Sequence, residues 1–563
     1  MTDMNVATAL LRRLRAIGIE HIFGIVGREA SAISFNEIPD IHFVLTRHEF
    51  TAGVAACSMS RFTGTPQVSF ATIGPGAANL MTAVATATLD RYPLIAIVAH
   101  HETYEIAHNN AHQCIDSVSM AKPISKYAHL VTGPDDLFTS LDRALNIAQT
   151  PPAGPAFLAV PIDILAAPAR ARMAYEKPSS APVAPSSATV DGPPSPDLRK
   201  IVAALRSCSN PIIAVGDAAL KSGLTPDIVR MAERSNIPVV TTYAAKGALP
   251  GEHPLDYGAI TPYMDSILEF PALDTLFEPI DFVLLICYDP AEHLYPRLWT
   301  RGRQKTVARL SDHKDDSGLS VFDIDAVHPL REAIDFIAGN SAGTRREPHS
   351  IDKLRDRIDE LFNDSEELPI GVKPTQVLRT LHEHLEGFIL ASDVGLHRHV
   401  SALFFKASRP LDFVTSAGLS SFGTGMGLGI GAKLANPDRP VVIIAGDGGF
   451  HSVSGDLETV VRLGLDVLII IMNNSASSLI QRYESLGNRP ENPGITTFGT
   501  VDFAALAQAN GCRGLRAESL AELRESIAIG TRSPGPTLVD VRIEYPDLYM
   551  NGYSTNYHTR QAQ

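Results

Sequence analysis

Cysteine is scarce and scattered. Five cysteines, Cys57, Cys114, Cys208, Cys287 and Cys512, form no metal-spaced pair, and their odd number in a chain of 563 residues argues against a disulfide framework. Long apolar runs are missing too. No stretch reaches transmembrane length without a charge or a turn, and the amphipathic opening MTDMNVATALLRRLRAIG has no long apolar centre or cleavage pattern. A cytoplasmic protein with no membrane partner is expected. Basic residues are outnumbered, 48 Lys and Arg against 62 Asp and Glu, and the formal net charge of -14 opposes nonspecific attraction to nucleic acid. No short internal repeat is visible. What is present is an enzyme-like mixture, 45% hydrophobic and 20% charged, with 41 glycines for strand-to-helix turns. A chain this long exceeds one hydrophobic core, so about three domains are expected.

Strand and helix patterns alternate, which predicts α/β architecture with parallel sheets flanked by helices. Residues 1–173 form a first domain. Leu10, Leu11, Leu14 and Ile17 mark its first helix, and Ile22 to Gly27, Val44-Leu45, Val68 to Thr72 and Ile95 to Ala99 its strands. Residues 174–196 are rich in Pro, Ser and Ala and read as a linker. A central domain spans 197–345, with strands at Pro211 to Val215, Pro238 to Thr241, Phe282 to Ile286 and Val321 to Ile324. It shows no dinucleotide fingerprint, so no flavin is expected. The charged stretch 346–370 reads as a solvated helix and connection. A third domain covers 371–550, and 551–563 is a polar tail. The first and third domains look alike as α/β layers.

The chemistry concentrates in the third domain. Val441 to Ile444 lead into Ala445-Gly446-Asp447-Gly448-Gly449, and a second apolar run, Val467 to Ile471, leads to Asn473-Asn474. This is strand, glycine turn, crossover helix and strand, with oxygen ligands at the strand ends. Asp447 can offer a carboxylate to Mg²⁺, Asn474 a side-chain carbonyl and Ala476 a backbone oxygen, with diphosphate oxygens completing the shell. Gly448 and Gly449 let backbone N–H groups approach the diphosphate. A helix beginning near Ser454, with Ser454 as N-cap and Leu457, Val460 and Val461 on its buried face, would turn its positive end the same way.

This pattern resembles the thiamine-diphosphate signature, and the whole chain resembles the family containing acetolactate synthase and benzaldehyde lyase. The resemblance implies a pyrimidine-binding, a central and a diphosphate-binding domain, in that order. It also implies a homodimer or homotetramer with active sites at the subunit interface. It makes Glu49, in Thr46-Arg47-His48-Glu49-Phe50, the carboxylate that exchanges a proton with the aminopyrimidine. Gly74 and Asn79 would support the pyrimidine. In Thr415 to Gly423, Ser420 would offer its carbonyl to the 4'-amino group and Phe422 would be the apolar wedge that bends the cofactor. His397, in the turn after Asp393, would contact the diphosphate together with Gly446, Asp447, Gly448, Gly449, Asn474, Ala476 and Ser477.

Gly27-Arg28-Glu29, the Glu49 segment and His112-Gln113-Cys114-Ile115-Asp116-Ser117 look more specifically like the N2-(2-carboxyethyl)arginine synthase family of clavulanic acid biosynthesis. That likeness implies condensation of D-glyceraldehyde 3-phosphate with the α-amine of L-arginine or a related amino acid, with phosphate eliminated via an acryloyl adduct. His112, Gln113 and Tyr263 match catalytic positions, and Arg28, Arg398 and His399 are candidates for the leaving phosphate. One departure falls after Asn474, where Ser475-Ala476-Ser477-Ser478-Leu479 is smaller and less polar than in that family, so the amine acceptor stays open. The alternative is an acetolactate-synthase-like 2-oxo acid decarboxylase and carboligase.

Overall fold

The computed structural model describes residues 4–28, 32–35, 38–108, 112–170, 195–270, 273–292, 305–314, 322–341, 349–486 and 492–546. The expected linker lies outside them except for its last two residues, where Ser195 caps a helix that opens on Pro196. The expected tail, Glu29 and Val321 also lie outside them. The chain forms two compact units. One comprises Met1–Ser186, Gly418–Pro437 and Val453–Leu465, and the other Ser187–Ala417, Asp438–Ser452 and Asp466–Gln563.

Apolar runs bounded by glycine and polar turns become buried parallel strands, because a strand covered on both faces has no polar side to present. In the first unit these are β1 (His21–Gly24), β2 (His42–Leu45), β3 (Gln67–Ala71), β4 (Leu94–His100), β5 (Tyr127–Leu130) and β6 (Ala156–Pro161). They lie side by side as β2-β1-β3-β4-β6-β5. Ile22, Val68, Ile95 and Leu158 on the sheet meet Leu10, Leu14, Leu137 and Leu141 on helices in one core. The helix Glu49–Thr63 packs on Thr424–Ala435, and Ser58 Oγ donates to the Leu428 carbonyl at 2.7 Å.

The second unit holds two sheets. The middle one contains β7 (Pro211–Val215), β8 (Val239–Thr241), β9 (Asp256–Ala259), β10 (Phe282–Ile286), β11 (Thr306–Ser311) and β12 (Ile324–Val327), in the order β12-β11-β10-β7-β8-β9. This is the doubly wound order of nucleotide-binding folds. The other contains β13 (Ile389–Ser392), β14 (Phe413–Thr415), β15 (Val441–Gly446), β16 (Val467–Asn473), β17 (Arg513–Ala517) and β18 (Thr537–Arg542), ordered β14-β13-β15-β16-β18-β17. That repeats the order of the first unit's sheet, as the likeness of the two outer domains suggested. All pairings are parallel. One core joins Val240, Val283 and Leu285 of the middle sheet to Leu390, Val442 and Ile470 of the other.

Two expectations need correction. The strand expected over Val321–Ile324 starts only at Ile324, because Asp323 closes the chain onto Val307, its carboxylate accepting the Val307 N–H at 2.8 Å. The helical stretch expected near Ser454 does begin there, but as a 3-10 turn that runs into an α-helix, and Val453 rather than Ser454 precedes it. The chain turns straight from β15 into a helix at Asp447–Ser452, Ser454–Asp456 is a 3-10 turn, and the next helix, Leu457–Arg462, is preceded by Asp456.

Candidate active site

The strand order of the third sheet reverses between β13 and β15, and the switch-point crevice opens at the carboxyl ends of these strands. Asp447 sits there, buried, as the first residue of the Asp447–Ser452 helix. Its Oδ1 accepts the Gly448 N–H at 2.7 Å and its Oδ2 the Ala476 N–H at 3.2 Å. Burial pushes its pKa up against the pull of these backbone donors. No Lys, Arg or His lies within ion-pair distance of it among the described residues. A desolvated carboxylate without a cationic partner is the donor a bound metal requires.

Asn473 ends β16, Asn474 follows it, and the two have different tasks. Asn473 Nδ2 donates to Asp540 Oδ1 at 2.9 Å, which ties β16 to β18, and its Oδ1 accepts the Ser475 N–H at 3.2 Å. The Asn474 amide is free of the strands and is steered by Ser478 Oγ, 2.8 Å from Nδ2 and 3.1 Å from Oδ1. Beyond it the loop is pinned at Ser477 and Ser475, with Ser477 N–H on the Thr496 carbonyl and Phe498 N–H on the Ser475 carbonyl, both at 2.7 Å. No cluster of three or more His, Cys, Asp or Glu suited to a metal occurs among the described residues. One carboxylate, one amide oxygen and one backbone oxygen are an incomplete shell, suited to a hard cation that arrives with diphosphate oxygens.

His397 completes this side. Its buried imidazole bonds the Asp393 backbone, and its Nε2 has no hydrogen-bond partner. Burial, reinforced by the neighbouring Arg398 charge, lowers its pKa to about 3, so it is neutral. The ring lies against Gly395 and Gly446. A Cβ on Gly395 would come within 2.6 Å of it, and one on Gly446 within 3.3 Å. An orphaned ring nitrogen over a turn kept bare by glycine fits a diphosphate oxygen. Phe498 covers Gly448 in the same way, 2.9 Å from a Cβ placed there.

The first unit brings together Glu49, Asn79, Gly74 and Gln113. His48 caps the helix that Glu49 begins, accepting the Phe50 N–H at 3.0 Å. Glu49 is buried, Asn79 Nδ2 donates to its Oε2 at 3.0 Å, and its Oε1 faces the bare Cα of Gly76. Gly74 has φ +55°, and a Cβ there would strike the Gln113 carbonyl at 2.6 Å, so only glycine fits. Gln113 and His112 are exposed beside it. The segment with Ser420 and Phe422 belongs to this unit, and Phe422 is 60% exposed, an unusual position for a phenylalanine. Gln113, Ser420 and Ser475 all adopt positive φ, at 65°, 58° and 55°. Non-glycine residues held in that region cluster at functional sites.

The remaining candidates are engaged elsewhere. Arg28 is exposed, 3.9 Å from Glu102. Arg398 is buried, donates to the Ser416 carbonyl at 2.6 Å and lies over the Tyr243 ring. His399 Nδ1 bonds the Tyr243 hydroxyl, and Tyr263, edge-on to His399, bonds the Tyr483 hydroxyl. Sequence reasoning missed Asp456, Ser478, Phe498 and Asp540. Asp456 accepts the Arg47 N–H at 2.8 Å and so holds the segment that delivers Glu49. Only Ser478, one helical turn past Asn474, had a signal of its own in the sequence.

Three family models match in succession. They are the N-terminal TPP binding domain of thiamine pyrophosphate enzymes over residues 4–120, their central domain over 198–334 and their C-terminal TPP binding domain over 393–541. The chain belongs to the thiamine-diphosphate enzymes. Within them it is acetolactate-synthase-like. Acetolactate synthase of Bacillus subtilis is 27% identical, covering 94% of this chain and 91% of its own. A probable acetolactate synthase large subunit of Methanococcus aeolicus is 28% identical, covering 96% and 92%. In fold the chain is similar to the thiamine diphosphate-dependent 4-hydroxybenzoylformate decarboxylase of Rhodococcus jostii RHA1. There the TM-score is 0.83 at 21% identity, over 97% of this chain and 100% of that one. The finer resemblance to carboxyethylarginine synthase finds no support among these relatives. No helix among the described residues is long and apolar enough to cross a membrane.

Proposed function

We propose that this protein is a thiamine-diphosphate- and Mg²⁺-dependent enzyme that decarboxylates a 2-oxo acid and joins the remaining fragment to a second carbonyl. Its substrate class is carried by near full-length similarity to acetolactate synthases. When bound, thiamine diphosphate supplies the carbon nucleophile and the electron sink that decarboxylation requires. Asp447, the Asn474 side chain and the Ala476 carbonyl hold the metal, and His397 Nε2 with the Gly448 and Gly449 amides receives the diphosphate. Glu49 holds and returns a proton at the pyrimidine, kept in place by Asn79. Phe422 would give the cofactor an apolar support, and Ser420 and Gly74 would frame its pyrimidine. Two or four copies assemble, so that Glu49 of one copy serves the cradle of another. His112 and Gln113 lie on the substrate side and take part in proton transfers.

The second reading, carboxyethyl transfer from glyceraldehyde 3-phosphate to an amino acid, rests on the His112-Gln113 segment. Tyr263 would then join His112 and Gln113 in proton transfer, and Arg28, Arg398 or His399 would attend the phosphate. The burial and bonding of Arg398 and His399 disfavour that role for them. Mass spectrometry of products tests both readings. A new carbon–carbon product from 2-oxo acids supports the first. An amino acid heavier by one carboxyethyl group, formed from glyceraldehyde 3-phosphate, would replace it with the second.

A further inference from the structure

Lys246 carries its ammonium where no other described residue pairs with it. It follows β8, is only 5% exposed, and among the described residues makes no side-chain hydrogen bond and no ion pair. Burial lowers its pKa to about 8, which leaves it mostly protonated at neutral pH. A buried cation of this kind calls for a counter-charge. The charge of Asp256 acts on it, but Asp256 lies outside ion-pair distance, and burial pushes its own carboxyl up.

Lys246 borders a cavity of about 150 Å³ whose wall includes Asp256, Arg355, Asp359, Phe405 and Lys406. Arg355 donates to the Pro254 carbonyl at 2.7 Å, and Lys406 reaches Asp359 at 3.2 Å, so both cations keep donors to spare. A second cavity of about 550 Å³ shares Phe405 and Lys406 and adds His382 and Arg409. The local field is positive enough to matter. Burial, and then the charges of Lys406 and Lys246, lower the pKa of His382 to about 4. The place is distinct from the cofactor cradle. It lies at the far end of the helix Leu396–Phe404, whose first turn holds His397, about 10 Å away along the axis.

We infer that this cavity binds a small oxyanion of the carboxylate or phosphate class, seated on Lys246 with Arg355 and Lys406 at its rim. Its volume excludes a nucleotide and favours an anion of few atoms, which Lys246, Arg355 and Lys406 would hold against the acids Glu252, Asp256 and Asp359 on the same wall. The proposal stands apart from the catalytic reading, since none of its residues belongs to the cradle.

Calorimetric titration of the enzyme tests it, with thiamine diphosphate and Mg²⁺ held at saturation to keep anions out of the cradle, and with ionic strength held constant by chloride. Inorganic phosphate is one probe and acetate the other. Saturable binding of either, one per chain, is expected, with affinity lowered at least tenfold in Lys246→Met and several-fold in Lys406→Gln. Acetate binding alone assigns the carboxylate class, phosphate alone the phosphate class, and mutual competition a shared seat. If Lys246→Met does not fold, Lys406→Gln and Arg355→Gln on the rim carry the test. No saturable binding of either probe, or affinity unchanged in the variants that fold, would overturn the inference.

Discussion

Asn79 holds Glu49 in place: its Nδ2 lies 3.0 Å from Glu49 Oε2, while Oε1 is left facing Gly76. The carboxylate therefore has one oxygen tethered and one directed at a position without a side chain. Replacing Glu49 by Gln preserves the tether and removes the proton acceptor. Thiamine diphosphate should then bind with affinity within about threefold of the parent, while exchange of its C2 proton, followed by NMR in D₂O, falls on the order of 100-fold or more. Exchange at the parent rate would remove Glu49 from its role.

As proposed metal ligands, Asp447 and Asn474 should carry different weights. Asp447→Ala removes a charged ligand and should raise the Mg²⁺ concentration for half-maximal activity on the order of 100-fold. Ser478→Ala leaves the ligands and frees only the Asn474 amide, so a rise nearer tenfold is expected. Equal effects of the two substitutions would contradict the division between ligand and steering residue.

If His397 receives the diphosphate as proposed, it links cofactor binding to protons. Burial and Arg398 keep it neutral with a pKa of about 3, and an anionic diphosphate at its Nε2 opposes both effects. Binding of thiamine diphosphate at neutral pH should take up on the order of half a proton or more per site. Calorimetry in buffers of different ionisation enthalpy reads this directly, and His397→Gln should abolish the dependence on buffer.

Glu292 sets a pH dependence of stability unrelated to catalysis. It is buried, accepts the Asp217 N–H at 3.1 Å and bonds the Thr242 hydroxyl. Burial, then the Asp217 charge, raises its pKa to about 8. A carboxyl whose folded pKa lies above its unfolded value stabilises fully below the unfolded value near 4.3. That stability is lost as pH rises toward 8. Glu292→Gln should therefore melt at least about 2 °C higher than the parent at pH 8, with little difference at pH 5. A gap of the same size at both pH values would exclude titration as the cause.

The proposed cradle was legible in the sequence because its proposed ligands sit at the ends of two apolar runs, where a parallel strand must deliver them. Asp447, Asn474 and the glycines between them needed no partner from elsewhere. Glu49 was legible only through family likeness, since what makes it special is Asn79, thirty residues on, and Asp456, 409 residues from Arg47. The helix near Ser454 was legible, but the role of Ser454 as its cap was not. A good capping residue stands there, but the chain had already turned into a helix at Asp447. The order of the middle sheet could not be read at all, because β10 pairs with β7 and each strand looks equally apolar. Arg398, His399 and Tyr263 invited functional roles as polar residues, and their bonds to Ser416, Tyr243 and Tyr483 appear only once the chain is folded.

The most direct test is to supply pyruvate alone and glyceraldehyde 3-phosphate alone to the enzyme loaded with thiamine diphosphate and Mg²⁺. Release of CO₂ from pyruvate, without release of inorganic phosphate from the sugar phosphate, is expected of a 2-oxo acid carboligase. Phosphate released from glyceraldehyde 3-phosphate, with no CO₂ from pyruvate, would contradict it.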